Sequence, residues 1–257
     1  MNYPKVLVGC PTSFHKEYCL NEYLEGLKNL TYPNFDILLV DNSDNDDYFE
    51  KLKEKVPVIK INLQNEILRV KLANSRNILR KKVIEEKYDY FLSLEQDIVP
   101  PKDIIERLIG NNKDIISGVY YNYFDSYPPG IKPLLWRTST QEEFNEILNS
   151  NDPIYSQVKH LIKKNNITDI GKIRARFKCE ELEEPRLLEI FMAGLGCVLI
   201  SRKVLEKIEF KGLKERQAFD DVLFFEDARN SNFKLYADTS IKCKHYVTKM
   251  NKQGIIQ

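Results

Sequence analysis

Two groups of carboxylates stand where this sequence could support chemistry. The first is Glu95-Gln96-Asp97, which directly follows the apolar segment Tyr88–Leu94. Because side chains alternate along an extended backbone, two carboxylates that flank one residue can point into the same cleft. Oxygen ligands of this kind suit Mg²⁺ or Mn²⁺, which keep part of their water and accept oxygens from a substrate diphosphate. An isolated Glu-x-Asp is more often a solvated acidic turn, so the residues around it decide its interpretation.

The second group is Asp220-Asp221, in the acidic segment 218–229. Neighbouring carboxylates repel one another, which raises their pKa toward the range in which a carboxylate can act as a general base near neutral pH. Asp221 is the first choice for such a base and Asp220 the second. Asp220 also has a structural interpretation, because an Asp at this place can cap the helix that follows it.

The elements that would position these carboxylates are short strands that alternate with helices. Apolar runs predict strands at Lys5–Gly9, Phe35–Val40, Val56–Leu63, Tyr88–Leu94 and Asp114–Tyr120. Apolar residues at helical spacing predict helices near 19–30, 48–55, 70–86 and 103–109. Strands joined by helices of this length form an α/β fold, with a mainly parallel sheet covered by helices on both faces.

Ligands of such a sheet bind outside the carboxyl ends of its strands. The polar residues that follow the strand ends are therefore candidates for substrate binding, namely Pro11, Thr12, Asp41, Asn42, Glu95, Gln96 and Asp97. Arg69 and Arg76 lie on or next to the third predicted helix and could place positive charge against phosphates. For the neighbouring lysines of that helix, a solvated face is at least as good an interpretation.

The overall charge narrows the choice of partners. The chain has 257 residues, with 39 Lys and Arg against 38 Asp and Glu, so its formal net charge is +1. General nucleic-acid binding relies on an excess of basic residues, and the total predicts no nucleic-acid partner. A hydrophobic content of 42% excludes an acidic disordered protein.

The cysteines and the apolar segments indicate a compartment. Five cysteines are scattered without paired spacing, which favours free thiols in a reducing environment. The N-terminal apolar stretch is too short for a signal-peptide core, and no stretch approaches the roughly 18 apolar residues of a membrane span. We therefore expect a cytoplasmic location and no transmembrane segment, with a peripheral membrane contact left open.

Several common motifs are absent from the sequence. It contains no GxxxxGK[ST] phosphate loop, no GxSxG elbow and no HExxH. The pair Gly194-Leu-Gly196 lacks the third glycine of a dinucleotide fingerprint, and the acidic turn 41–47 lacks the glycine of a calcium loop. The sequence therefore lacks the usual motifs of hydride transfer, P-loop chemistry and serine hydrolysis.

The order of the remaining motifs resembles that of GT-A-fold glycosyltransferases, particularly the inverting family-2 type. The matching segments are VGCPT (8–12), VDNSDND from Val40, ANSRN (73–77), EQD (95–97), MAGLG (192–196), FDD (219–221) and a late strand that ends in His245. The resemblance covers roughly 5–120 and 191–246. It departs from the family in Glu95, where Asp is usual, and in Asp-Asp, where Glu-Asp is usual.

The resemblance implies a fold and a set of site residues. The fold would be a GT-A-type, Rossmann-like domain over 1–257, in which 121–186 is a variable elaboration on the acceptor side. The metal, Mn²⁺ or Mg²⁺, would be held by Asp97, with Glu95 directly or through water, and by His245 as the third ligand. The donor nucleotide would contact Pro11, Thr12, Asp41, Asn42, Arg69, Asn74, Arg76, Glu95, Gln96 and Gly194. The base would be Asp221, with Asp220 as the alternative.

The reaction implied is sugar transfer from a nucleotide-diphosphate sugar to an acceptor hydroxyl, hexosyltransferase-like, metal-dependent and inverting. The acceptor would be a glycan, a lipid-linked molecule or a protein. Two alternatives stay open, a nucleotidyltransferase and a catalytically inactive module that binds sugar nucleotides or glycans. Trp136 and the tyrosines at 120, 121, 123 and 127 are candidates to stack on a sugar, although aromatic residues more often belong to the core.

Overall fold

The structure is a computed structural model that describes residues 3–125, 129–151, 155–164 and 166–247. The strands of these residues are β1 (Val6–Thr12), β2 (Phe35–Asp41), β3 (Val58–Lys60), β4 (Tyr90–Leu94), β5 (Ile98–Val99), β6 (Ile115–Val119), β7 (Tyr121–Phe124), β8 (Gly130–Pro133), β9 (Leu135–Thr138), β10 (Arg174–Arg176), β11 (Leu187–Ile190), β12 (Met192–Ala193), β13 (Cys197–Ser201), β14 (Leu235–Lys242) and β15 (Lys244–His245).

The helices are α1 (Leu20–Lys28), α2 (Asp47–Lys53), α3 (Leu68–Glu85), α4 (Ile104–Gly110), α5 (Gln141–Asn149), α6 (Ser156–Lys164), α7 (Arg202–Leu205) and α8 (Asp220–Asn230). Short 3-10 helices occur at Phe14–Cys19, Ile170–Lys172 and Glu180–Leu182. No helix of these ranges is both long enough and apolar enough to cross a membrane.

Eight strands form the central sheet, in the order β11-β14-β6-β13-β4-β1-β2-β3. Four of its seven neighbouring pairs are parallel, which confirms the prediction of a mainly parallel α/β sheet. The exception at the centre is β13, which is antiparallel to both β4 and β6. No helix intervenes between β12 and β13, so β13 starts at the edge where β4 ends and runs back between its neighbours.

Strand β1 is longer than its apolar run predicts. The predicted strand ends at Gly9, ahead of Pro11, but β1 continues to Thr12, which pairs with Asp41 of β2. The register with β4 stops earlier, at Gly9 opposite Ser93. Pro11 therefore lies where β1 has a partner on one side only, a place at which its missing N–H leaves no ladder bond unmade.

Helices cover both faces of the sheet, as the sequence predicts. One buried cluster contains apolar side chains of α3, α7 and α8, and a second contains those of α1, α2 and α4. Along β1, Leu7 belongs to the first cluster, whereas Val6, Val8 and Cys10 belong to the second. Because side chains alternate between the two faces of β1, the strand packs against both helix layers, and this packing holds the strand ends in fixed positions.

The region 121–186 is built around small sheets beside the carboxyl edge. Strands β7 and β8 form a hairpin, and β9 lies between β10 and β12 in a three-stranded sheet. Helices α5 and α6 pack over a small separate core of Phe144, Ile162 and Ile173. Because β12 leads directly into β13, this region is tied to the central sheet next to the strand ends.

Candidate active site

The candidate residues meet at the carboxyl edge of the central sheet. Thr12 and Asp41 end β1 and β2, and Glu95 follows β4. Strand β15 pairs with β5 so that His245 lies opposite Ile98, one residue from Asp97. The long connection from β4 to β15 is thus closed by a two-residue ladder that brings His245 to the carboxylate.

Asp97 is an almost completely buried carboxylate of this edge. It is 4% exposed, and its Oδ2 accepts a hydrogen bond from the Lys16 ammonium and lies 3.3 Å from His245 Nε2. Burial acts to raise the pKa of Asp97, but the His245 contact and the charge of Lys16 outweigh it and hold the pKa below its usual range. Its Oδ1 is buried and has no hydrogen-bond partner in the described chain. One oxygen of a charged carboxylate is therefore open to a further ligand.

His245 is oriented by the main chain. Its Nδ1 lies 2.7 Å from the carbonyl oxygen of Tyr121. A carbonyl only accepts, so Nδ1 carries a hydrogen, and Nε2 is the ring nitrogen turned toward Asp97. A histidine that donates one ring N–H to a carbonyl and turns its other nitrogen toward a carboxylate has the arrangement of a metal ligand.

The donor set around Asp97 fits a hard or borderline divalent cation. The free Asp97 Oδ1 and His245 Nε2 supply one oxygen and one nitrogen, and Glu95 lies on the same edge. Within the described ranges, no group of three or more His, Cys, Asp or Glu side chains is gathered as a ready metal site. A cation here would complete its coordination with water and substrate oxygens, as Mg²⁺ usually does.

Arg76 joins the two carboxylate groups from beneath. It is 2% exposed, and its guanidinium donates to Asp220 Oδ2 at 2.7 Å, to Glu95 Oε1 at 2.5 Å and to Ser93 Oγ at 2.9 Å. Such a planar fork can hold two carboxylates at a fixed separation. Arg76 was predicted to contact the substrate, and the structure places it below the cleft as the residue that positions Glu95 and Asp220.

The pair Asp220-Asp221 is divided into two environments at the start of α8. Asp220 is buried and bound to Arg76, whereas Asp221 is half-buried and, within the part of the chain that the structure describes, bonds only to the main-chain N–H of Val222. Burial and the charge of Asp220 raise the pKa of Asp221 to about 6. A carboxylate with this pKa can exist ionised at neutral pH and still take up a proton, so Asp221 is the better candidate for a base.

The ends of β1 and β2 form the neighbouring part of the edge. Asp41 is fully buried; its Oδ1 accepts from the N–H and hydroxyl of Ser43, and its Oδ2 accepts from the Lys60 ammonium at 2.9 Å. Asn42 donates to Ser75 Oγ at 3.1 Å. Both predicted donor-binding side chains are therefore held by the protein itself.

Gln96 connects these strand ends to the carboxylates. It accepts from Thr12 Oγ1 and from the hydroxyl of Tyr48, and its Nε2 donates to the carbonyl of Lys16 at 2.6 Å. Only 1% of Gln96 is exposed. The middle residue of Glu-Gln-Asp is thus an internal anchor that points away from the cleft while its neighbours face it.

The other predicted residues have different surroundings. Arg69 donates to the carbonyls of Leu213 and Lys214, so it fixes the loop before α8. Asn74 is exposed on α3. Pro11 is buried within β1.

Gly194 belongs to the segment that packs against Tyr120. A Cβ at Gly194 would lie 2.2 Å from the Tyr120 hydroxyl oxygen, and that hydroxyl accepts from the N–H of Gly196 at 3.0 Å. The ring of Tyr120 meets the ring of His245 edge-on at 5.5 Å. The two glycines therefore make room for the tyrosine that packs against His245.

Tyr120 and Tyr121 are buried, Tyr123 is exposed and Trp136 is half-buried in β9. Of the aromatic residues proposed to stack on a sugar, Tyr127 lies outside the described residues.

Sequence reasoning missed Lys16 and Lys60. Lys16 lies in the 3-10 helix after β1 and lines a cavity of about 310 Å³ together with Glu95, Asp97 and His245. Both lysines pair with carboxylates far away in the sequence, so their spacing carries no signal. In the sequence, Lys16 and Lys60 are marked only by their closeness to the carboxyl end of a strand, where the ligand is predicted to bind.

Comparison with known proteins identifies the family of the chain. Residues 12–209, more than half of the chain, match the profile "Glycosyl transferase family 2". No curated protein sequence matches at a significant level. Among solved structures, the crystal structure of A197 from STIV is similar over 98% of this chain and 94% of that chain, with a TM-score of 0.50 and 17% identity, a likeness that concerns the fold alone. The extent of the profile match shows that the chain belongs to glycosyl transferase family 2, a family of glycosyltransferases.

Proposed function

We propose that this glycosyltransferase moves a sugar from a nucleotide-diphosphate sugar to an acceptor hydroxyl in one inverting, metal-dependent step. The observation that carries the proposal is the division of the two aspartates at α8. Arg76 binds Asp220, whereas Asp221 has no ion pair among the described residues, accepts from the N–H of Val222 and has a pKa of about 6. A raised carboxylate pKa beside a cleft favours a catalytic role over the binding of sugar nucleotides alone.

Asp221 is the proton acceptor in the proposed reaction. The acceptor hydroxyl gives its proton to the Asp221 carboxylate while its oxygen attacks the anomeric carbon, and the bond from that carbon to the diphosphate breaks. Attack opposite the leaving group inverts the configuration, and one base suffices for this single displacement. Arg76 keeps Asp220 away from the acceptor and holds Glu95 on the donor side.

Asp97 and His245 are the proposed metal ligands, with the second oxygen of Glu95 as a further one. A divalent cation bound there supplies Lewis-acid stabilisation for the charge that develops on the diphosphate. Two features support the assignment, the unpartnered Asp97 Oδ1 and the His245 nitrogen turned toward the same carboxylate. The Lys16 ammonium adds positive charge at this place.

For the donor nucleotide we propose the edge formed by β1 and β2. Asp41 holds the Lys60 ammonium there, and Thr12 and Gln96 fix the adjoining loop. Asp41 thus acts by placing a cation on the donor side, since both of its oxygens already have protein partners. The hexosyl donor, the cytoplasmic location and the division into one domain with an acceptor-side elaboration at 121–186 remain predictions.

A panel of nucleotides and nucleotide sugars tests the proposal. Thermal unfolding is measured with UDP, GDP and CMP, each with and without Mn²⁺, and the matching nucleotide sugars are then tested for turnover. We expect one nucleotide to stabilise the protein strongly in the presence of metal, and the sugar released or transferred from its α-linked donor to be β-configured by NMR. An α-configured product, or release of pyrophosphate from a nucleoside triphosphate instead, would count against the proposal.

A further inference from the structure

The three-stranded sheet of the 121–186 region presents two arginines on one face. Arg174 and Arg176 are two residues apart in β10, so their side chains point the same way. Arg176 pairs with Trp136 of β9, and Met192 of β12 pairs with Trp136 from the other side. We call this set, Arg174, Arg176, Trp136 and Met192, the arginine face.

Stacking holds the guanidinium groups in place. The Arg176 guanidinium carbon lies 4.1 Å from the ring centre of Phe124 and 4.5 Å from that of Trp136, and Nη1 donates to the carbonyl of Pro133 at 3.2 Å. Arg174 lies 5.6 Å from the Trp136 ring and contacts the sulfur of Met192 at 2.5 Å. Most of the N–H groups on both side chains are left for another partner.

Neither arginine has a carboxylate within ion-pair distance among the described residues. Arg137 of the same sheet differs from them in this respect. It lies on the opposite face of β9 and forms ion pairs with both Glu143 and Glu181. Burial lowers the pKa of Arg174, and burial together with the charge of Arg174 lowers the pKa of Arg176 to about 10. Two guanidinium charges are therefore held close together, and no carboxylate of the described residues is in ion-pair contact with either.

The arginine face lies next to the proposed base. Strand β12 packs beside α8, whose first turn carries Asp221. The carboxylate that acts most strongly on the charge of Arg174 is Asp221, followed by Glu226, while Arg216 opposes them. The groups that lower the pKa of Asp97 are instead His245 and Lys16. The arginine face thus belongs to the acceptor side of the cleft and is separate from the proposed metal site.

We infer that Arg174 and Arg176 bind a phosphate group carried by the acceptor, which places the reacting hydroxyl of that acceptor near Asp221. The role as an acceptor site depends on the proposed function; the phosphate site itself does not. Guanidinium groups match the terminal oxygens of a phosphate with paired N–H donors, and stacking on Phe124 and Trp136 removes the freedom that binding would otherwise have to restrict. A neutral glycan acceptor would leave both charges without a partner.

The chain carries its own reporter for this site, because Trp136 is its single tryptophan. Hexyl phosphate is titrated into the protein while Trp136 fluorescence is followed, with hexanol as the uncharged comparison. We expect a saturable change with the phosphate only, and affinity at least about tenfold weaker in Arg174→Gln, since one hydrogen bond to a charged group is removed. Part of the Arg174 side chain is open to solvent, so this variant should fold, which circular dichroism checks.

The matched control is Lys178→Gln, which removes one positive charge from an exposed residue four positions along the chain and should bind hexyl phosphate like the wild type. Equal responses to hexyl phosphate and hexanol, or unchanged affinity in Arg174→Gln, would overturn the inference. A short polyprenyl phosphate in detergent and a soluble sugar phosphate then distinguish a lipid from a soluble acceptor. Binding of either one supports the site; failure of both to affect Trp136 overturns it.

This titration needs no donor, metal or turnover, so its outcome is independent of the reaction. Turnover of a nucleotide sugar without a phosphate response would reject the arginine face and leave the proposed function intact. A phosphate response that is lost in Arg174→Gln, in a protein that turns over no nucleotide sugar, would reject the function and leave the phosphate site.

Discussion

Replacing Asp221 with Asn should make the protein more stable while it removes the proposed base. The pKa of Asp221 is raised from 3.8 to about 6, so the folded state holds this proton more tightly than the unfolded chain does. Below about pH 4 the carboxyl is protonated in the folded and the unfolded state and does not change the free energy of unfolding. Between about pH 4 and 6 it ionises first in the unfolded chain, and stability falls; above that range the penalty is constant.

The size of the effect follows from the shift. A difference of about two pKa units corresponds to about 3 kcal/mol at 1.36 kcal/mol per unit. Because part of the Asp221 side chain stays open to solvent, we expect about half of this, roughly 1–2 kcal/mol, as the gain in unfolding free energy of Asp221→Asn at pH 7.5. Urea denaturation at pH 7.5 and at pH 4 measures it, and the gain should nearly vanish at the lower pH.

Asp220→Asn is the matched control, with the same change one residue away. Burial also raises the pKa of Asp220, but this carboxylate is bound to Arg76, so the variant leaves the buried guanidinium with Glu95 as its carboxylate partner and should lower the unfolding free energy by about 3 kcal/mol. If Asp221→Asn were no more stable than the wild type at pH 7.5, or if the two variants shifted stability in the same direction, the division of the aspartates would be wrong.

Four further predictions concern the same edge of the sheet. The rate of sugar transfer should rise with pH along a limb centred near pH 6, as Asp221 ionises, and a pH-independent rate between 5 and 7 would argue against this base. Lys16→Met should tighten Mn²⁺ binding in the absence of nucleotide, measured by electron paramagnetic resonance, because a competing cation leaves Asp97. His245→Ala should weaken Mn²⁺ binding, because a proposed ligand is removed. Changes of Mn²⁺ affinity in the same direction for these two variants would contradict the proposed metal site. Gly194→Ala should lower the unfolding free energy by about 1–3 kcal/mol, since the new methyl group meets the hydroxyl of Tyr120.

Much of the fold could be predicted from local patterns. Alternation of apolar runs and helical spacing predicts β1, β2, β4 and β6 and the helices on both faces, because each pattern depends on residues close together in the chain. The direction of β13 could not be predicted in this way. Its apolar run is the same in either direction, and only the absence of a crossover helix after β12 sets it.

The location of the site could be predicted from the sequence, but the contacts between its side chains could not. The strand-end rule correctly brings Asp41, Glu95 and Asp97 to one edge. It does not indicate that Arg76 binds Glu95 and Asp220 at once, or that Lys16 reaches Asp97. These pairs join residues 19 to 144 positions apart, and whether an arginine faces substrate or carboxylate depends on the packing around it.

The central claim is that Asp221 is the base of a glycosyl transfer. The most direct test compares the rate of sugar transfer, or of donor hydrolysis, in the wild type and in Asp221→Asn at pH 7.5, with nucleotide affinity measured on the same samples. We expect a rate lower by about 10²–10⁴ in the variant with nucleotide affinity unchanged. A rate in Asp221→Asn equal to that of the wild type would contradict it.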